Sequence, residues 1–227
     1  MPTPYERLGL RTFVNARGTI TTLGGSIMPD EVVQAMVEAS RNFVHLNELH
    51  EKAGARIAEL TSAEGAFISA GAASGLLLAG AACLTGTDAQ AIANLPNIGD
   101  RPNEFVISLV DSHYYVHQGF CVAGGTLRKI GSKDAVTLEN YVEAIGPKTA
   151  AVVYFLGSQP IEDLPAIVAA AHAQDVPVIV DAAAQLPPRS NLIDLPAMRC
   201  RIRKTRILGD KYNQTLPLTH HSDFCRI

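Results

Sequence analysis

The amino-acid sequence predicts an α/β domain in which a parallel-rich sheet carries helices on both faces. Three observations lead there. Short segments that are apolar throughout recur along the chain (FVISLV, AAVVYFL, PVIV), as expected of strands buried on both sides. Between them lie stretches of about ten residues with helical patterning, the length of a crossover helix. Composition agrees: of 227 residues 47% are hydrophobic and 18% charged, tryptophan is absent, and Gly and Ala are abundant. Such a composition suits close helix-on-sheet packing better than an aromatic-rich β-sandwich.

The elements follow in order. Asp30 and Glu31, after Pro29, place acidic side chains in a first helical turn, and Val32, Val33, Met36 and Val37 share one face. A second amphipathic helix fits residues 48–60. Ala66-Phe67-Ile68 reads as a short strand, residues 69–74 as a small-residue loop, and 75–84 as a tightly packed helix. Strands are then predicted over 105–110, 127–130, 150–156 and 177–180, the last ending at Asp181. Helices over 114–122, 138–145 and 164–174 separate them. Beyond Asn191-Leu192 the alternation stops. The organisation this implies is an N-terminal arm with helices over 1–60, a large α/β domain over 61–198, and an aberrant basic tail over 199–227.

The net charge of −3 conceals an asymmetry, with +5 in residues 199–227 and −8 in the rest. A basic arm for nucleic acid is one reading of that tail. It fares poorly, because the tail has one Tyr and one Phe, no RNA-binding motif, and an acidic body beside it. The first residues hold no uninterrupted apolar run, and the small-residue stretch 66–84 is broken by Ser69, Ser74 and glycines. The chain therefore reads as soluble and cytoplasmic. Cys83, Cys121, Cys200 and Cys225 show no CxxC spacing and read as free thiols rather than zinc ligands.

Ligands of open parallel sheets bind beyond the carboxyl ends of the strands, and three segments fall there. In Gly71-Ala72-Ala73-Ser74-Gly75, small residues let backbone N–H groups approach an anion at a helix start; tight packing alone would also select them. Asp181 ends an apolar strand. Its burial is costly without a cation, such as the protonated pyridine nitrogen of pyridoxal 5'-phosphate (PLP), unless it caps the next turn. In Asp111-Ser112-His113-Tyr114-Tyr115-Val116-His117, a ring could lie on a planar cofactor. His113 and His117 also have the i, i+4 spacing of a shared metal, but no carboxylate or cysteine companion argues for one. An exposed helix start is the plainer expectation for His117.

Val14-Asn15-Ala16-Arg17-Gly18-Thr19, Thr22-Leu23-Gly24-Gly25-Ser26, the GAASG turn and VPVIVDAAAQLPP before Asn191-Leu192 together resemble the selenocysteine-synthase-like family. That family includes L-seryl-tRNA(Sec) selenium transferase and D-glucosaminate-6-phosphate ammonia-lyase, and Leu23-Gly24-Gly25-Ser26 is closer to the ammonia-lyase branch. The resemblance implies a PLP-dependent transferase fold of the aspartate-aminotransferase type and PLP as cofactor. On this resemblance, backbone N–H groups of Gly71, Ala72 and Ala73 bind the phosphate and His113 covers the pyridine. Asp181 pairs with the pyridinium and Gln185 lines the pocket. The implied chemistry is α-proton abstraction with β-elimination or replacement on an amino-sugar phosphate or amino acid, in a homodimer or higher homo-oligomer.

That chemistry needs a lysine, which the family carries in a Ser-Gly-Gly-Lys segment expected near residue 200. This sequence reads CRIRKTRILGDKYNQTLPLTHH instead. Lys204 and Lys211 fall near the right distance without the strand and glycines, and Lys211 is the better stand-in. A shift of reading frame in the gene accounts together for the lost pattern, the charge reversal and the early stop. Sequencing the locus should then find a downstream frame encoding Ser-Gly-Gly-Lys, and its absence removes the hypothesis. The expectation is a truncated family member, poorly soluble and catalytically inactive. The alternative is a non-catalytic α/β protein binding a phosphate ligand on the same scaffold.

Overall fold

The computed structural model describes residues 2–183, 185, 188 and 190–197; the tail with Cys200, Lys204, Lys211 and Cys225 lies outside the described residues. The chain divides into two compact units between His45 and Leu46. In the first, α1 (Pro4–Arg7) is closed by a reciprocal cap. The Thr3 hydroxyl accepts the Glu6 N–H, and the Glu6 carboxylate accepts the Thr3 N–H at 2.7 Å. Helix α2 (Asp30–Ala39) begins at the acidic turn the sequence predicts. Its apolar face stays open, with Val32, Val33, Met36 and Val37 between 40 and 55% exposed. None of the described residues of this unit is buried.

The second unit holds the sheet. Its elements are α3 (Leu46–Thr61), α4 (Ala72–Thr85), α5 (Ala89–Asn94), β1 (Glu104–Ser108), α6 (Tyr114–Val122), β2 (Thr126–Ile130), α7 (Leu138–Ala144), β3 (Thr149–Phe155), α8 (Leu164–His172), β4 (Val178–Asp181) and α9 (Asn191–Ala197). The four strands lie in the order β2-β1-β3-β4, all parallel. Every strand predicted from 105 onward is present within two residues. Residues 66–68, expected as a strand, belong to no strand or helix, and Phe67 instead stacks flat on His50 of α3 at 5.0 Å. Helix α4 starts three residues earlier than expected, so Ala72 and Ala73 form its first turn rather than a loop.

Side-chain alternation along each strand sends neighbours to opposite faces, and helices cover both. Phe105 packs on Phe120 of α6 at 4.8 Å, and Phe155 on His117 of α6 at 5.2 Å. A Cβ added at Gly80 of α4 would meet both Phe120 and Phe105, so α4 shares that face. On the opposite face Tyr154 packs on Tyr141 of α7, which adjoins α8. Strand β3 is buried over its whole length, as a central strand with two covered faces must be. Among the described residues no helix is long and apolar enough to cross a membrane.

One polar pair sits within this core. Tyr141 is fully buried, and its hydroxyl accepts the Gln159 Nε2–H at 2.8 Å. Burial pushes the Tyr141 hydroxyl up to about 12, against the hydrogen bonds from Gln159 and Ser108. Tyr141→Phe strands the buried Gln159 amide. It should therefore cost about 1–2 kcal/mol, read as a lower urea midpoint with an unchanged slope.

Candidate functional site

The order β2-β1-β3-β4 reverses direction between β1 and β3, and the segments leaving these two strands flank the point where ligands of such sheets bind. After β1 comes Asp111, 1% exposed. Such a carboxylate is tolerable only with donors around it, and it has four. Oδ1 accepts from His113 Nδ1 at 2.8 Å and from the Ser158 hydroxyl at 3.0 Å. Oδ2 accepts from the His113 backbone N–H and from His117 Nε2, each at 3.0 Å. Burial raises the Asp111 carboxyl, but the hydrogen bonds from His113, Ser158 and His117 outweigh it and hold the group below its ordinary range. Ser158 comes from the segment after β3, so this one side chain ties both sides of the crevice.

His117 is not the exposed helix-start residue expected of it. Its side chain is 2% exposed, stacked obliquely on Phe155 and edge-on to Tyr114, with Nε2 toward Asp111. Burial lowers its basicity more than Asp111 restores it, so it is neutral near pH 7. The two imidazoles converge on a carboxylate, and among the described residues no trio of His, Cys, Asp or Glu is placed for a metal. His113, the cap residue of α6, keeps a 59% exposed side chain while its Nδ1 meets Asp111.

Asp181 closes β4 opposite Phe155, hence on the face covered by α4 and α6. It is half-buried, and burial raises its carboxyl above the ordinary range, only partly offset by the Ala183 N–H. That N–H donates to Oδ1 at 2.9 Å, so the capping alternative is realised in part. No cation lies in ion-pair range of Asp181 among the described residues. Asp111 raises the Asp181 carboxyl further and His113 lowers it, both as smaller electrostatic effects. Gln185 reaches back over the segment after β3, its Nε2 donating to the Leu156 carbonyl at 3.4 Å and lying close to Gly157.

Gly80 of α4 sits over Phe105, whose β1 position pairs with Ala151, so α4 lies on the face that Phe155 and Asp181 share. Ala72 precedes Gly80 by eight residues, about 12 Å along the helix. Gly71 caps this helix at φ +145°, a conformation only glycine adopts freely, and nothing lies within 4 Å of a Cβ added there. The first helical bond runs from the Gly75 N–H to the Gly71 carbonyl. Helix geometry therefore leaves the N–H groups of Ala72, Ala73 and Ser74 without partners inside the helix. Asp181 and α4 thus share one face of the sheet.

Sequence reasoning named His113, Asp181, Gln185 and the glycine-alanine turn but missed Asp111 as a hub and Ser158 altogether. For Asp111 the signal was present, since it follows an apolar strand as Asp181 does. Ser158 carried none; only the pairing of β1 with β3 brings it near.

No protein-family model matches the chain. It is 34% identical over 191 residues to D-glucosaminate-6-phosphate ammonia lyase of Salmonella typhimurium, covering 81% of this chain and 52% of that protein. It is 35% identical over 193 residues to 5'-C-glycyluridine monooxygenase-decarboxylase of a Streptomyces species, covering 80% and 48%. The solved structure of a D-glucosaminate-6-phosphate ammonia-lyase superposes with a TM-score of 0.77 at 32% identity, over 87% of this chain and 54% of that one. The chain spans about half the length of the curated relatives it matches. The expected PLP-dependent transferase fold, a parallel α/β sheet covered by helices, is the one found. By these matches over some four-fifths of its residues, the chain belongs to the selenocysteine-synthase-like family that joins the ammonia lyase to the L-seryl-tRNA(Sec) selenium transferases.

Proposed function

We propose that the hollow at the carboxyl edge holds pyridoxal 5'-phosphate and serves a lyase or transferase reaction on an amino substrate. The observation that carries this is Asp181: a carboxylate made reluctant to ionise by burial, without a described cationic partner, at the end of β4 on the face that α4 covers. A ring nitrogen that must stay protonated supplies the missing cation, and a phosphate suits the free N–H groups of Ala72 and Ala73 beside Gly71. His113 would lie against the ring and Gln185 would line the pocket. The cofactor supplies an electron sink for breaking a bond at the amino carbon. The protein's part is to keep the ring nitrogen charged, hold the phosphate and shield the hollow through the Asp111 cluster. An amino-sugar phosphate or an amino acid is the substrate class.

The chain as given does not turn over in this reading. Lys52 is ion-paired to Glu48 on α3, Lys148 precedes β3 at the amino edge, and Lys129 and Lys133 lie in and just after β2. Three strand spacings, about 14 Å, separate β2 from β4. Non-catalytic binding of a phosphate ligand remains the alternative function, favoured by the same placement of the lysines. Titration with PLP followed by borohydride tests the reading. Saturable binding that dialysis reverses, with no covalent fixation, is the expected result. Fixation on a lysine peptide such as that of Lys211 would overturn the inactivity, and absence of saturable binding would overturn the cofactor assignment.

A further inference from the structure

We propose that Asp111 is a positioning residue that locks His113 in its Nδ1–H tautomer, making Nε2 a hydrogen-bond acceptor for a hydroxyl or ammonium group of the substrate. The substrate part rests on the reading of the hollow above; the tautomer does not.

An ionised carboxylate only accepts, so the nitrogen 2.8 Å from Asp111 Oδ1 carries the proton. A free histidine side chain favours its proton on Nε2, and the contact with Asp111 reverses that preference. Asp111 cannot turn away from this task. Ser158 holds Oδ1 at 3.0 Å, while His117 and the His113 backbone N–H hold Oδ2. The carboxylate is 2% exposed on its side chain, so water does not compete for these sites. Tyr115 meets the His113 ring edge-on at 5.8 Å and limits its rotation. What remains open is the rest of a ring 59% exposed, beyond the carboxyl end of β1. A bare Nε2 there welcomes an O–H or N–H donor and gives a carboxylate or phosphate oxygen no bond.

Long-range proton–nitrogen correlation spectra of the full chain, without ligand, read the tautomer, with His113→Gln identifying the signals. In the wild type Nδ1 should be protonated and Nε2 bare. Ser158→Ala, which keeps the carboxylate, should retain this pattern, and Asp111→Ala should move the proton to Nε2. A wild type with its proton on Nε2 overturns the proposal even if Asp111→Ala fails to fold, and so does a folded Asp111→Ala that keeps the Nδ1–H form. In PLP-loaded protein, glucosamine 6-phosphate should shift the Nε2 signal while inorganic sulfate, which carries no donor, does not; an equal shift from sulfate removes the donor assignment. Failure of PLP to bind with the tautomer as expected would sink the cofactor reading alone, and the converse result would sink this proposal alone.

Discussion

Asp181→Asn is expected to weaken PLP binding by thirtyfold or more, an effect of about 2 kcal/mol for losing a charge-assisted hydrogen bond in a half-buried site. The same substitution should leave the cofactor-free protein as stable or slightly more stable. Burial raises the Asp181 carboxyl above its unfolded value, so between the two values the folded chain binds more protons than the unfolded one. Stability from this group is then complete below the ordinary carboxylate range and declines as pH rises through the folded value. An amide has no such decline, so the gain of Asp181→Asn should show at neutral pH and vanish in acid. Paired melts at pH 7 and pH 3.5, with a PLP titration by absorbance, check both halves. Unchanged PLP affinity in a folded variant would show that Asp181 only caps the turn at Ala183.

Asp111→Ala should have the opposite character, with a loss of stability that precedes any question of ligand. It removes the acceptor for two imidazoles, a hydroxyl and a backbone N–H, and leaves both ring nitrogens of a 2% exposed His117 without a partner. Stranding buried donors of this kind costs about 3 kcal/mol, or roughly 6–12 °C in melting temperature for a domain of this size. Its pH dependence also has a definite sign. The Asp111 carboxyl is held low because its hydrogen bonds outweigh burial. Its contribution is therefore present above the unfolded value of about 3.9 and disappears as pH falls through the folded one. The gap between wild type and variant should be full at pH 6 and shrink below pH 4. A gap that stays constant into acid would mean that the cost comes from the cavity and not from the charged cluster.

Much of the sheet was legible because its signals are local. Val152, Val153, Tyr154 and Phe155 form a run too apolar for any surface, and a strand buried on both faces is the simplest structure that hides it. Residues 66–68 carried the same local signal on a shorter run, but they join no strand, and Phe67, 46% exposed, stacks on His50 instead. The start of α4 was misplaced for a related reason. Alanines at 72 and 73 look like loop beside Gly71 and Ser74, although alanine is an excellent helix former once glycine has made the turn.

Alone, the sequence determined the strands and helices between residues 105 and 181, though not α9 beyond them, with the parallel arrangement and the residue types at the carboxyl edge, because periodicity and burial are written within each segment. Tertiary structure alone decided that Asp111 would collect His113, His117 and Ser158, since Ser158 stands 47 residues away and meets it only where β3 pairs with β1. It also decided that Asp181 and the α4 start would share a face. Which side of a sheet a helix covers depends on how the crossovers wind, and no spacing along the chain records that.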